Sequence, residues 1–154
     1  MNLEEELASN HKKYHVLNNE YIEIKNKMAR LEQQRHDLIQ EKLKVLVGKC
    51  FINKQGIFIV VDVPKYTHGI SGRSHFNPYQ IPVFGYVFNN QRDAFYKAQD
   101  GEMLYFEIYT KCIDSEDVIK AFIEEGNESV DFCTFKNKMM IQLENTLCGF
   151  KEQK

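Results

Sequence analysis

Residues 44–63 read KVLVGKCFINKQGIFIVVDV, and Gly48 divides them into two kinds of chain. Before it, the apolar residues keep a helical spacing. After it, CFIN and IFIVVDV are two runs of strand formers joined by a short turn at Lys54-Gln55-Gly56 and ended by Pro64. Glycine just past a helical pattern supplies a left-handed cap, so a helix ends and a β unit begins within a few residues.

Read backwards from Gly48, the chain holds no Gly or Pro, and its apolar residues recur in alternating steps of four and three. Leu7, Tyr14, Tyr21, Met28 and Arg35 take position a of a heptad; Leu3, Asn10, Leu17, Ile24, Leu31 and Leu38 take position d. One helix from about residue 3 to 46, roughly 65 Å long at 1.5 Å per residue, is predicted. In a parallel two-stranded coil each g position faces the e position five residues on in the other chain. Those pairs are Glu6–His11, Lys13–Asn18, Glu20–Lys25 and Lys27–Glu32, none of them repulsive. Asn10 in the seam lowers stability but helps to set register and strand number. A parallel homodimer through this helix is favoured; folding of the stripe back onto the chain's own domain is the alternative. Past Leu38 the stripe drifts to Ile39, Leu43 and Leu46, which turns it onto the following domain.

Read forwards, IPVFGYVFN, RDAFYKA and EMLYFEIYTK are three more strands, separated by NQ and by a QDG turn that contains Asp100-Gly101. In MLYFEIY the residues Leu104, Phe106 and Ile108 share one face, and Tyr105, Glu107 and Tyr109 the other. Five short antiparallel strands suggest a small sheet or a partly open SH3-like barrel. Beyond Lys111 the helical period returns. Asp114 or Ser115 can cap a helix through Glu125, ended by Gly126, with Glu124 and Glu125 solvated. Ser129 can cap a second, with Phe135, Met139, Leu143 and Leu147 in a row before Gly149. A hairpin over 130–144 competes with that helix, which is preferred. The predicted class is α+β, with a coiled-coil helix over 1–47, a β domain over 48–112 and a helical segment over 113–154.

The chain has 154 residues, 43% of them hydrophobic, enough for a real core. Eight basic side chains balance eight acidic ones up to Val47. From Gly48 to Cys112 there are seven against five, and beyond that five against nine. A net charge of −2 does not suit a whole-protein nucleic-acid footprint. Cys50, Cys112, Cys133 and Cys148 form no C-x-x-C pair, and the opening MNLEEELASN has neither the basic start nor the apolar run of an export signal. Reduced thiols in a cytoplasm, without cofactor, metal site or membrane span, are the expectation.

At the junction, Gly48, Lys49 and Phe51 carry a resemblance to a loose group of small phage and prophage accessory proteins. These place a charged coiled coil directly before a glycine, a lysine and an aromatic that begin a compact β domain. The resemblance covers about the first two thirds of the chain and brings no catalytic residues. It implies an accessory role during infection, such as inhibition of a host defence system.

Residues 64–80, PKYTHGISGRSHFNPYQ, are the candidate binding loop. No acid occurs between Asp62 and Asp93. Lys65, Arg73 and Arg92 can meet an anion, Gly69 and Gly72 let backbone amides approach it, and His68 and His75 add donors. Tyr66, Phe76 and Tyr79 can stack on a base or fill a partner's groove. Loops this long are uncommon in compact domains unless they work or are disordered, although a stiffened polar connection also fits. No G-x-S-x-G, Walker A, G-x-G-x-x-G or H-E-x-x-H is present, so an enzyme is not expected. Three functions follow: a non-catalytic interaction protein that inhibits or adapts a host protein, a binder that sequesters an anionic, nucleotide-like small molecule, and a weak nucleic-acid adaptor. The first is favoured. The last has few phosphate contacts.

Overall fold

The computed structural model describes residues 2–65, 67–68, 74–88, 101 and 103–152. The fold is α+β: a long N-terminal helix, a five-stranded antiparallel sheet and C-terminal helices. Helix α1 spans Leu3–Leu43 and opens on a reciprocal cap. Asn2 Oδ1 accepts from the Glu5 N–H at 2.9 Å, and Glu5 Oε2 accepts from the Asn2 N–H at 3.3 Å. A 3-10 turn, Lys44–Leu46, follows, and Gly48 takes the left-handed conformation (φ +81°) expected of it.

The chain forms two compact units, Met1–Leu38 and Ile39–Lys154. The last turns of α1 therefore belong with the sheet, and so does the segment after Cys112, expected as a region of its own. Leu43 is 2% exposed and Leu46 fully buried, with Ile39 packed beside them. This is the outcome of the drift from Leu38 to Ile39.

The strands are β1 (Cys50–Ile52), β2 (Gly56–Val60), β3 (Thr67–His68), β4 (Ser74–His75), β5 (Gln80–Val87), β6 (Met103–Tyr109) and β7 (Glu128–Val130). The large sheet runs β6-β5-β2-β1-β7, all neighbours antiparallel, so among the described residues it is an open sheet with two distinct edges rather than a closed barrel. Its fifth strand is β7, from a segment read as a helix cap. RDAFYKA, expected as a strand, lies outside the described residues. The β3–β4 ladder pairs Thr67 with His75 and His68 with Ser74, so the described part of residues 64–80 holds a short strand pair that their composition does not suggest.

Strand alternation gives the sheet two faces. On one, Phe51, Phe58, Val60, Ile81, Val83, Phe106 and Ile108 pack with Leu43 and Leu46 and with Val118 and Phe122 of α2 (Val118–Glu124). Phe122 meets Phe51 edge-on, ring centres 4.7 Å apart, a geometry that adds roughly 1 kcal/mol to simple burial. On the other face, Cys50 and Ile57 pack with Phe135 and Met139 of α3 (Phe132–Glu152). The row continues to Leu143 and Leu147, which stand exposed.

Both C-terminal helices are capped later than expected. Asp117, not Asp114 or Ser115, accepts from the Lys120 N–H at 3.1 Å, because Cys112–Asp114 first form a 3-10 turn that buries Cys112 and Ile113. Asp131, not Ser129, accepts from the Thr134 N–H at 2.7 Å, since Ser129 sits in β7 opposite Phe51. Helix is the outcome for Phe132–Glu152, not a hairpin. Among the described residues no helix is long and apolar enough to cross a membrane.

Candidate functional site

Two features present themselves. The first is the heptad stripe of α1. Leu7, Tyr14, Leu17, Tyr21, Ile24, Met28, Leu31 and Leu38 are all exposed, as is Asn10. Leu38 is 72% exposed, only five residues before the buried Leu43, so the apolar run passes from an uncovered stripe to a covered one. A stripe of this length left in water opposes the general driving force for burial. Of the g-position groups, Lys27 meets Glu23 of its own helix at 3.3 Å, a solvated i, i+4 pair that leaves it able to exchange partners.

The second is the end of the β unit that carries the acid-free segment. Lys65 Nζ lies 2.6 Å from Asp62 Oδ2. That ion pair, with the Val63 N–H donating to Asp62 Oδ1 at 2.9 Å, holds the Asp62 carboxyl below the usual carboxylate range. The ammonium expected to meet an anion thus already faces a carboxylate. Asp62 and Lys65 share a cavity of about 320 Å³ with Pro64, Asn77, Pro82 and Glu107, so its wall carries two acids against one base. Phe76 and Tyr79 are half-buried. Tyr66, Arg73 and Arg92 lie outside the described residues. His68 and His75 lie on neighbouring strands β3 and β4. Of the eight candidate residues, Lys65 alone among those described lines the cavity.

Sequence reasoning missed the aromatic band next to this cavity. Tyr105 (72% exposed) and Tyr109 (62%) point from β6 to the face that α3 leaves open beyond Tyr86. Phe84 lies 4.8 Å from Tyr105 and Tyr79 6.1 Å from Tyr109, ring centre to ring centre. The Thr110 N–H donates to the Tyr79 carbonyl at 2.8 Å, and the Thr110 hydroxyl donates to Glu125, which also accepts from the Lys111 N–H at 2.7 Å. Glu125, exposed as expected, is thus also a tie from the C-cap of α2 to the end of β6. The signal was available: alternation in MLYFEIY put both tyrosines on one face, and with α3 on that face only part of it is covered. At the opposite end Lys138 covers Tyr86 and Phe88, 5.8 and 5.9 Å from the ring centres.

Compared with family profiles, with curated proteins and with solved structures, the chain shows no match.

Proposed function

We propose that the protein is a non-catalytic, self-associating interaction protein. Helix α1 pairs in parallel with α1 of a second copy, and the assembly presents two sheets whose exposed Tyr105 and Tyr109, each beside a half-buried ring (Phe84 and Tyr79), receive a partner protein. The single observation that carries this reading is the uncovered heptad stripe: Leu17 is 63% and Ile24 57% exposed in a helix whose facing e and g positions carry no like-charge pair. Amphipathic tyrosines in an exposed band suit a protein partner, since they offer large apolar area with a polar tip. A protein is favoured over an anionic small molecule or a nucleic acid because Lys65 faces the Asp62 carboxylate and Glu107 lines the same cavity, two acids against one base. The resemblance at Gly48, Lys49 and Phe51 supports a phage-type accessory role, in which the partner is a host protein that the dimer inhibits or adapts.

Native mass spectrometry of the full chain, purified without added ligand, tests the reading. The expected result is a bare assembly at twice the 18.2 kDa chain mass. A monomer at tens of micromolar overturns it. A dimer carrying an adduct of about a few hundred daltons per chain shifts the reading to the sequestering binder.

A further inference from the structure

The third and fourth turns of α1 carry His11 and His15, four residues apart, in the run HKKYH. Side chains at i and i+4 stand one above the other on a helix, with Cβ atoms about 5–6 Å apart. Here the two imidazoles are stacked, ring centres 6.5 Å apart and planes inclined by 26°, and both residues are exposed. We propose that His11 and His15 form a two-point chelate for a divalent transition ion of the Ni2+ or Zn2+ class.

Imidazole suits such ions, and metal–nitrogen bonds are about 2.0–2.1 Å, so the rings must converge on a point between them. Two exposed side chains reach it by χ rotation alone, without moving the backbone. The i, i+4 spacing is the one that zinc-binding helices use to place two histidines on one face, though here no glutamate follows the first histidine and no third ligand is supplied. Among the described residues no group of three or more His, Cys, Asp or Glu stands together, so the chelate is bidentate and completed by water. That makes it a moderate-affinity site with open positions, not a structural zinc.

Its electrostatic setting is mixed. Lys12 and Lys13 lie between the histidines in sequence but point about 100° and 200° away from His11 around the helix. Glu4, Glu5 and Glu6 occupy the first turn of α1, ahead of His11 in sequence. In heptad terms His11 is at e and His15 at b, clear of the a and d seam, so the site needs one chain only. In a parallel pair the facing g position is Glu6 of the second copy, a carboxylate next to which a bound cation is tolerated.

Isothermal titration of the full chain with Ni2+ tests this, using His11→Gln, His15→Gln and His36→Gln; glutamine is a good helix former at these exposed sites. A fourth variant, His15→Gln with Val16→His, keeps the number of histidines but spoils the spacing. A Ni2+ binding event is expected that weakens about tenfold or more in His11→Gln, in His15→Gln and in the respaced variant, because each loses the second, intramolecular ligand, and that persists in His36→Gln. Absence of binding up to millimolar Ni2+, unchanged affinity in either single variant, or full affinity in the respaced one overturns the proposal. Far-ultraviolet circular dichroism of each variant keeps a lost helix from being mistaken for a lost ligand.

Discussion

A β-carbon built on Gly85 would stand 2.7 Å from Cβ of Phe58 on the neighbouring strand and 2.1 Å from the Ile57 carbonyl oxygen. Phe58 and Gly85 are direct register partners in β2 and β5, and the ring of Phe58, fully buried, is set among Phe51, Phe106 and Phe122. The missing side chain in β5 is what lets this ring lie in the core at normal strand spacing. Gly85→Ala is therefore expected to destabilise the β unit by about 3 kcal/mol, the upper end of overpacking, because part of the obstruction is backbone that cannot rotate away. Urea unfolding followed by circular dichroism measures it; an unchanged midpoint would show that the strands separate at little cost.

Leu17 and Ile24 are exposed on the isolated chain, so charging them removes nothing from its core. Leu17→Glu with Ile24→Lys is expected to turn the assembly into monomers while the thermal transition of the β unit stays in place. Asn10→Leu should act in the opposite sense, tightening association and relaxing the strand number. Light scattering after size exclusion reads both. A dimer that survives the double charge change would place the self-association elsewhere, with the exposed Leu143 and Leu147 of α3 next in line.

Asn127 is 4% exposed and joins two elements. Its Nδ2 donates to the Phe122 carbonyl at the end of α2 (2.8 Å), and its Oδ1 accepts from Asn53 Nδ2 (2.9 Å). Asn53 in turn accepts from the Gln55 and Gly56 amides, which shapes the β1–β2 turn. Asn127→Ala leaves a buried carbonyl without its donor and is expected to cost about 2 kcal/mol. Stability within a few tenths of the parent would mean that water replaces the amide.

The helix terminus and the strands were legible because their signals are periodic: Ile39, Leu43 and Leu46 keep a helical step, and β5 alternates half-buried with buried residues along its whole length. What escaped was short or degenerate. Strand β7 has three residues, too few for a period, and its membership comes from pairing with β1 across some 75 residues of chain. Asp114, Ser115 and Asp117 all have cap chemistry, and the 3-10 turn that buries Cys112 and Ile113 uses up the first of them before α2 starts after Asp117. At the candidate site the basic residues could be read but their local partner could not. The Asp62–Lys65 pair is three residues apart in an irregular segment, where spacing predicts no contact.

Four thiols divide into two classes. Cys50 and Cys112 are buried, and burial pushes both thiols up, with the Asp131 charge adding to the effect at Cys50. Cys133 and Cys148 are exposed on α3. Thiolate is the reacting form, so a short pulse of a maleimide on the native protein should label Cys133 and Cys148 and spare the other two, while denaturant should make all four reactive. Peptide mass mapping after the pulse gives the answer. Rapid native labelling of Cys50 would mean that α3 lifts from the sheet, since Phe135 and Met139 cover it.

The Asp62–Lys65 pair also predicts a direction for pH dependence. Because the folded carboxyl is held below its ordinary value, first by Lys65 and then by the Val63 amide, its contribution is present above the unfolded carboxylate value of about 3.9 and is lost as pH falls through the lower folded value. Both side chains are well exposed, Lys65 at 68% and Asp62 at 43%, so solvent and salt screen the pair and its effect is small. Asp62→Asn should therefore be slightly less stable than the parent near neutral pH, with the two curves converging in acid and the gap narrowing in about 1 M salt. Denaturation midpoints across the pH range read this directly. A gap that closes in acid but does not narrow in salt would mean that Asp62 acts through the Val63 amide rather than through Lys65, which would return the small-molecule reading of the 64–80 segment to first place.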